Sequence, residues 1–119
     1  MRNKSIEIPD SWSIIKISNN PNDIYGKEPY YKVFASWRGG YLDGDRYKFN
    51  SGITKVEEDK DNFYFYGYSG SCYKCHKQLY DRHSSWALGI LETTIENSAE
   101  YGIIVEKLPE DTNWLNLIK

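Results

Sequence analysis

The sequence has no long apolar run, few cysteines and no surplus of basic residues. None of its apolar stretches approaches the roughly 20 residues that a transmembrane helix needs, so we expect no contact with a membrane. Its 15 Lys and Arg residues are outnumbered by 17 Asp and Glu residues, for a formal net charge of -2. Non-specific binding to phosphates needs a positive surplus, so this composition argues against nucleic acid as the partner.

The N-terminal segment lacks the features of a secretory signal. Such a signal needs an apolar stretch of roughly 7–15 residues after its basic start, and here Glu7 and Pro9 interrupt the chain too early. We therefore expect an unprocessed, cytoplasmic protein. In that reducing compartment the two cysteines, Cys72 and Cys75, should be free thiols.

The chain does contain enough apolar residues for one folded domain over 1–119. It has 119 residues, of which 39% are hydrophobic and 16% aromatic, with 11 tyrosines. A domain of this size buries about two-thirds of the surface of its unfolded chain, so we expect it to fold without a disulfide, metal or cofactor.

Residue periodicity predicts several strands and one helix. Trp12 and Ile14 alternate in one phase and Ile15 and Ile17 in the other, which indicates a strand with a bulge or a change of face. Turn residues over 19–29 predict a loop. Further strands are predicted over 30–38, 46–56, 63–68, 72–77 and a buried 101–108, with 46–68 as a hairpin. The four-residue spacing within 84–98 predicts a helix with Ser84 or Ser85 as its N-cap, and Trp114 should dock the C-terminal tail.

This order of elements predicts an α+β fold, in which one main helix packs on one face of an antiparallel β-sheet. Within residues 63–68 the tyrosines and phenylalanines alternate. If the phenylalanines cover the core, the tyrosines form an aromatic surface, and tyrosine is enriched at protein interfaces. We predict a partner-binding surface of aromatic and acidic residues: Tyr64, Tyr66, Tyr68, Tyr73, Glu57, Glu58 and Asp59.

A second hypothesis places a metal or thiol site at Cys72, Cys75, His76 and His83. The order Cys-x-x-Cys-His matches c-type haem attachment, but that chemistry normally follows export. Zinc could use the same four ligands, and a redox pair would need a helix N-terminus. Strand geometry would point Cys72 and Cys75 to opposite faces, whereas helical geometry would bring Cys72, Cys75 and His76 together.

A third hypothesis uses the two histidines in acid–base chemistry on a nucleic acid. One histidine would act as base and the other as acid, and Lys74, Lys77 or Arg82 would hold the phosphate. No second motif accompanies them, so we expect a binding protein rather than an enzyme.

Three stretches resemble small uncharacterised accessory proteins of tailed bacteriophages. They are residues 50–58 (NSGITKVEE), 65–77 (FYGYSGSCYKCHK) and 108–115 (LPEDTNWL). The resemblance covers the second half of the chain and brings no catalytic residues with it. It implies a protein that inhibits or modulates a host protein or complex, such as a host defence system, in the host cytoplasm.

Overall fold

The computed structural model describes residues 6–19, 28–39 and 44–118, and these contain eight strands and one long helix. Most of the predicted loop over 19–29 lies outside the described residues. The helix, α1, spans Ser85–Glu100, and short 3-10 turns span Lys77–Leu79 and Trp114–Asn116. The strands are β1 (Ile6–Glu7), β2 (Ser11–Asn19), β3 (Tyr30–Trp37), β4 (Arg46–Phe49), β5 (Ile53–Glu58), β6 (Asn62–Gly67), β7 (Cys72–His76) and β8 (Ile103–Lys107).

The strands form two four-stranded sheets that pack face to face, where the sequence predicted one sheet. The central sheet has the order β4-β3-β2-β8 and is antiparallel throughout. The outer sheet has the order β1-β7-β6-β5, and only its β1–β7 pair is parallel. Helix α1 packs on the face of the central sheet that points away from the outer sheet. The α+β class, with one main helix on one face of a sheet, is confirmed.

Strand β2 is apolar on both faces because both faces are covered. Trp12 and Ile14 point to the core between the sheets, and Ile15 and Ile17 point to α1. The predicted bulge or change of face is wrong, since β2 pairs with β3 without a register shift from Ser11 to Ile17. A strand with one solvent-facing side alternates apolar and polar residues, whereas a strand buried on both sides reads as a nearly continuous apolar run.

Aromatic rings fill the core between the sheets. Trp12 lies at its centre, with ring-centroid distances of 4.7 Å to Tyr80, 5.4 Å to Phe65 and 5.8 Å to Trp114. The Trp12 Nε1–H donates a hydrogen bond of 2.7 Å to the carbonyl of His76, so its polar atom is satisfied. The predicted docking of the tail through Trp114 is confirmed, since this residue is buried in the core.

The chain crosses from the central sheet to the outer sheet between β4 and β5. The predicted strand over 46–56 is therefore two strands in different sheets, and only β5 forms the hairpin with β6. Gly52 lies at the crossing with φ +123, a conformation that disfavours residues with a side chain. The buried Asn50 side chain supports the crossing by accepting a hydrogen bond of 2.9 Å from the backbone N–H of Val33.

Helix α1 begins after Ser84, one of the two predicted N-caps, whose hydroxyl accepts a hydrogen bond from the backbone N–H of Ala87. Ala87 and Leu91 are its buried residues. The prediction that the following strand is buried is wrong: β8 forms an edge of the central sheet, and only Val105 within it is buried. Among the described helices, none has the length and apolar character needed to span a membrane.

Candidate functional site

The outer sheet has one face toward the core and one face toward solvent. Because Phe65 points inward, its neighbours Tyr64 and Tyr66 point outward. Cross-strand pairing places Glu57 opposite Tyr64 and Lys55 opposite Tyr66 on this outward face. The central sheet occupies the opposite side, so the layer order leaves the outward face uncovered among the described elements.

Carboxylates hold both tyrosine hydroxyls on this face. The Tyr64 hydroxyl donates a hydrogen bond of 2.6 Å to Asp59 Oδ2, and the Tyr66 hydroxyl donates one of 2.9 Å to Glu57 Oε1. Lys55 Nζ lies 4.6 Å from the centroid of the Tyr66 ring and 3.4 Å from Glu57 Oε2. We call these five residues, Lys55, Glu57, Asp59, Tyr64 and Tyr66, the tyrosine face.

These hydrogen bonds also change the acidity of the groups that form them. The hydrogen bond from Tyr64 lowers the pKa of Asp59 to about 2, and the bond to Glu57 raises the pKa of Tyr66 to about 12. At neutral pH the tyrosine face therefore presents ionised carboxylates beside protonated phenols.

The prediction that Tyr73 belongs to this surface is wrong. Its side chain points to the core between the sheets and is only 2% exposed. Tyr73 follows Cys72 in a strand that runs next to β6, and its position opposite Phe65 puts it on the buried side of the sheet. Desolvation there raises its pKa to about 12.

Two other predicted surface residues lie apart from the tyrosine face. Glu58 is one position after Glu57 and so belongs to the other side of the strand, where its carboxylate pairs with Lys77 Nζ at 2.5 Å. Tyr68 lies in the turn after β6 and is 73% exposed. It lines a cavity of about 410 Å³ together with Tyr31, Ile53 and other residues at one end of the two sheets.

The predicted metal site is wrong as a set of ligands. Residues 72–76 form a strand, so Cys72 points outward and Cys75 points into the core, as expected for strand geometry. His76 instead caps the following turn, where its Nδ1 accepts a hydrogen bond of 3.1 Å from the backbone N–H of Gln78. No group of three or more potential ligands converges anywhere in the described ranges.

The same geometry is unfavourable for thiol chemistry. Burial raises the pKa of both the Cys72 and Cys75 thiols, whereas a reactive cysteine needs a lowered pKa. Both cysteines belong to strand β7, as its first and fourth residues, and neither lies at the N-terminus of α1, where a thiolate would be stabilised.

The two histidines lie in different layers, which separates the predicted acid and base. His83 is 7% exposed and lies between two serines of the central sheet. Its Nε2 is 2.8 Å from Ser13 Oγ and its Nδ1 is 2.5 Å from Ser36 Oγ. The Ser13 hydroxyl also donates a hydrogen bond of 3.2 Å to Asp81 Oδ1. A neutral His83 with its proton on Nε2 can therefore donate to Ser13 and accept from Ser36, so every group in this series of hydrogen bonds has a partner.

Sequence reasoning missed this buried network. The signal was the pair Ser11 and Ser13, which alternates with Trp12 and Ile14 at the start of β2. Burial lowers the pKa of His83 to about 4, so the ring is neutral at physiological pH. A histidine between two serines is also found in hydrolytic sites, but here the ring and both serines are buried. The hydrogen bonds among them supply partners to polar groups that water does not reach.

Comparisons with protein-family models, curated proteins and solved structures find no match to this chain.

Proposed function

We propose that this protein acts by binding another protein through the tyrosine face. One observation carries the proposal: two tyrosine rings lie on a sheet face that no described element covers, with their hydroxyls held by carboxylates. A tyrosine fixed in this way offers a large contact area and loses little conformational entropy when a partner binds.

The charge of the tyrosine face favours a partner that presents arginine or lysine. The carboxylates of Glu57 and Asp59 are exposed beside the rings, and an aromatic face attracts cations. Within the chain, the Tyr66 ring already has a cation contact of this kind, with Lys55 Nζ 4.6 Å from its centroid. An arginine from a partner could contact a ring and a carboxylate at once.

The resemblance to bacteriophage accessory proteins supports a host protein or complex as this partner, which binding would inhibit or modulate. A host defence system in the host cytoplasm would fit that setting. Binding is enough for such inhibition, since a bound protein can occlude the surface that the host factor uses.

Affinity capture from a host lysate tests the proposal when wild type is compared with the double variant Tyr64→Ala/Tyr66→Ala. We expect the double variant to lose the captured protein, because both rings of the tyrosine face are gone. Tyr101→Ala is the matched control: it removes a tyrosine that is 84% exposed just after α1, far along the chain from the outer sheet.

Circular dichroism and thermal unfolding should show that all three proteins are folded. Equal capture by wild type and the folded double variant would refute the tyrosine face as the binding surface. Capture that is lost in the double variant and kept in Tyr101→Ala would support it.

A further inference from the structure

Among the described strands, β5 forms one edge of the outer sheet. It pairs with β6 on one side, and no other described strand pairs with it. Four of its six residues, Thr54, Lys55, Glu57 and Glu58, are exposed. An unpaired edge presents backbone N–H and C=O groups that can pair with a further strand.

The hairpin fixes which groups point away from β6. The backbone N–H of Asp59 donates to the carbonyl of Asn62 at 2.9 Å, so this pair belongs to the hydrogen-bonded positions of the ladder. Such positions alternate along an antiparallel pair. The backbone groups of Glu58 and Val56 therefore point outward, toward the free side of the edge.

We propose that β5 pairs antiparallel with β5 of a second copy of this chain, with Val56 on the two-fold axis. In that register Val56 lies opposite Val56 of the second copy, and their outward N–H and C=O groups meet each other. The two four-stranded outer sheets then form one continuous sheet. This inference does not rest on the proposed function, although Lys55 and Glu57 belong to the tyrosine face.

The charges of β5 select this register. Lys55 and Glu57 share the outward face and flank Val56 on either side. Antiparallel pairing about Val56 places Lys55 of each copy opposite Glu57 of the other, which makes two symmetry-related ion pairs. A pair centred on Lys55 would place Lys55 opposite Lys55 of the second copy, and a pair centred on Glu57 would place Glu57 opposite Glu57. Like charges directly opposite each other are destabilising.

The dimer contact is limited to one short strand, because β5 has only six residues. Strand pairing of this length buries less area than a permanent dimer needs, so we expect a dissociation constant in the micromolar range or weaker.

Sedimentation velocity over a series of protein concentrations tests the dimer. Wild type should show a reversible monomer–dimer equilibrium. Lys55→Glu and Glu57→Lys should each raise the dissociation constant by about thirtyfold, because both symmetry-related pairs change from attraction to repulsion. Lys74→Glu is the matched control, since it makes the same charge change on β7, which β6 separates from β5, and should leave the dimer intact.

Two further measurements separate the proposed register from other causes of weakening. The double variant Lys55→Glu/Glu57→Lys restores opposite charges across the axis and should dimerise like wild type. An equimolar mixture of the two single variants should form a heterodimer, because one brings two acidic and the other two basic residues. Wild type that stays monomeric at millimolar concentration, single variants that dimerise normally, or a double variant that stays monomeric would overturn the proposal.

Discussion

Acidification should destabilise this protein through His83, before its carboxylates are protonated. The ring is buried between Ser13 and Ser36, where a neutral imidazole satisfies both hydroxyls. Burial is the main cause of its lowered pKa; Asp81 opposes that shift, and Lys107 and Arg38 add to it. In the unfolded chain the ring recovers its ordinary pKa of 6.5.

The sign and size of the effect follow from these two pKa values. Between pH 6.5 and about 4 the unfolded state binds a proton that the folded state does not bind, so the free energy of unfolding falls as the pH falls. The slope approaches about 1.4 kcal/mol per pH unit within this window. Between pH 7 and 5 the fold should lose about 2 kcal/mol. The lowered pKa of Asp59 acts separately, because its contribution is present above pH 3.8 and is lost as the pH falls toward about 2.

Urea unfolding at a series of pH values between 7 and 5 measures this slope. His83→Gln replaces the imidazole by an amide that does not titrate, so the part of the slope due to this residue should disappear, whatever the stability of the variant at pH 7. His76→Gln is the control, because it removes the other of the 2 histidines and should keep the slope due to His83. A His83→Gln protein with the full wild-type slope would refute this reasoning.

Three further predictions concern the tyrosine face, the sheet crossing and the helix. Tyr64→Phe removes the hydroxyl that donates to Asp59, so the pKa of that carboxyl should rise from about 2 toward 3.8 in an NMR titration, and an unchanged value would contradict the assignment. Gly52→Ala should destabilise the fold by about 1–3 kcal/mol in urea unfolding, because the backbone has φ +123 and the added Cβ would lie 2.9 Å from the Tyr68 ring. A variant as stable as wild type would mean that the backbone at the crossing shifts without cost. Leu91→Ala should cost about 3 kcal/mol in the same assay, since it leaves a cavity between α1 and the central sheet, and a loss below about 1 kcal/mol would show that the helix closes the gap.

Local patterns in the sequence were sufficient for the elements and for part of the candidate site. The alternation over 63–68 placed Phe65 inward and Tyr64 and Tyr66 outward, because a strand points successive side chains to opposite faces. Ser84 and the apolar spacing after it marked the start of α1, since a free N-terminal turn needs a side-chain acceptor.

Residues close in sequence were grouped wrongly wherever the chain changes direction or layer. Cys75, His76 and His83 lie within a few residues of each other, yet they point to the core, to a turn and to the central sheet. Tyr73 was assigned to the surface because it is a tyrosine close to the strand 63–68. Its strand position opposite Phe65 instead places its side chain in the core. A strand's own sequence does not state which neighbour it will pair with, so neither placement could be derived from it.

The sequence by itself determined the periodicity of each segment, the α+β class and the two faces of β6, because these depend on residues within a few positions of one another. The tertiary structure decided that the strands divide between two sheets, that His83 lies between serines from two strands, and that β5 is left at an edge. Those features arise from contacts between residues far apart in the chain, where the burial of one layer depends on which other layer covers it.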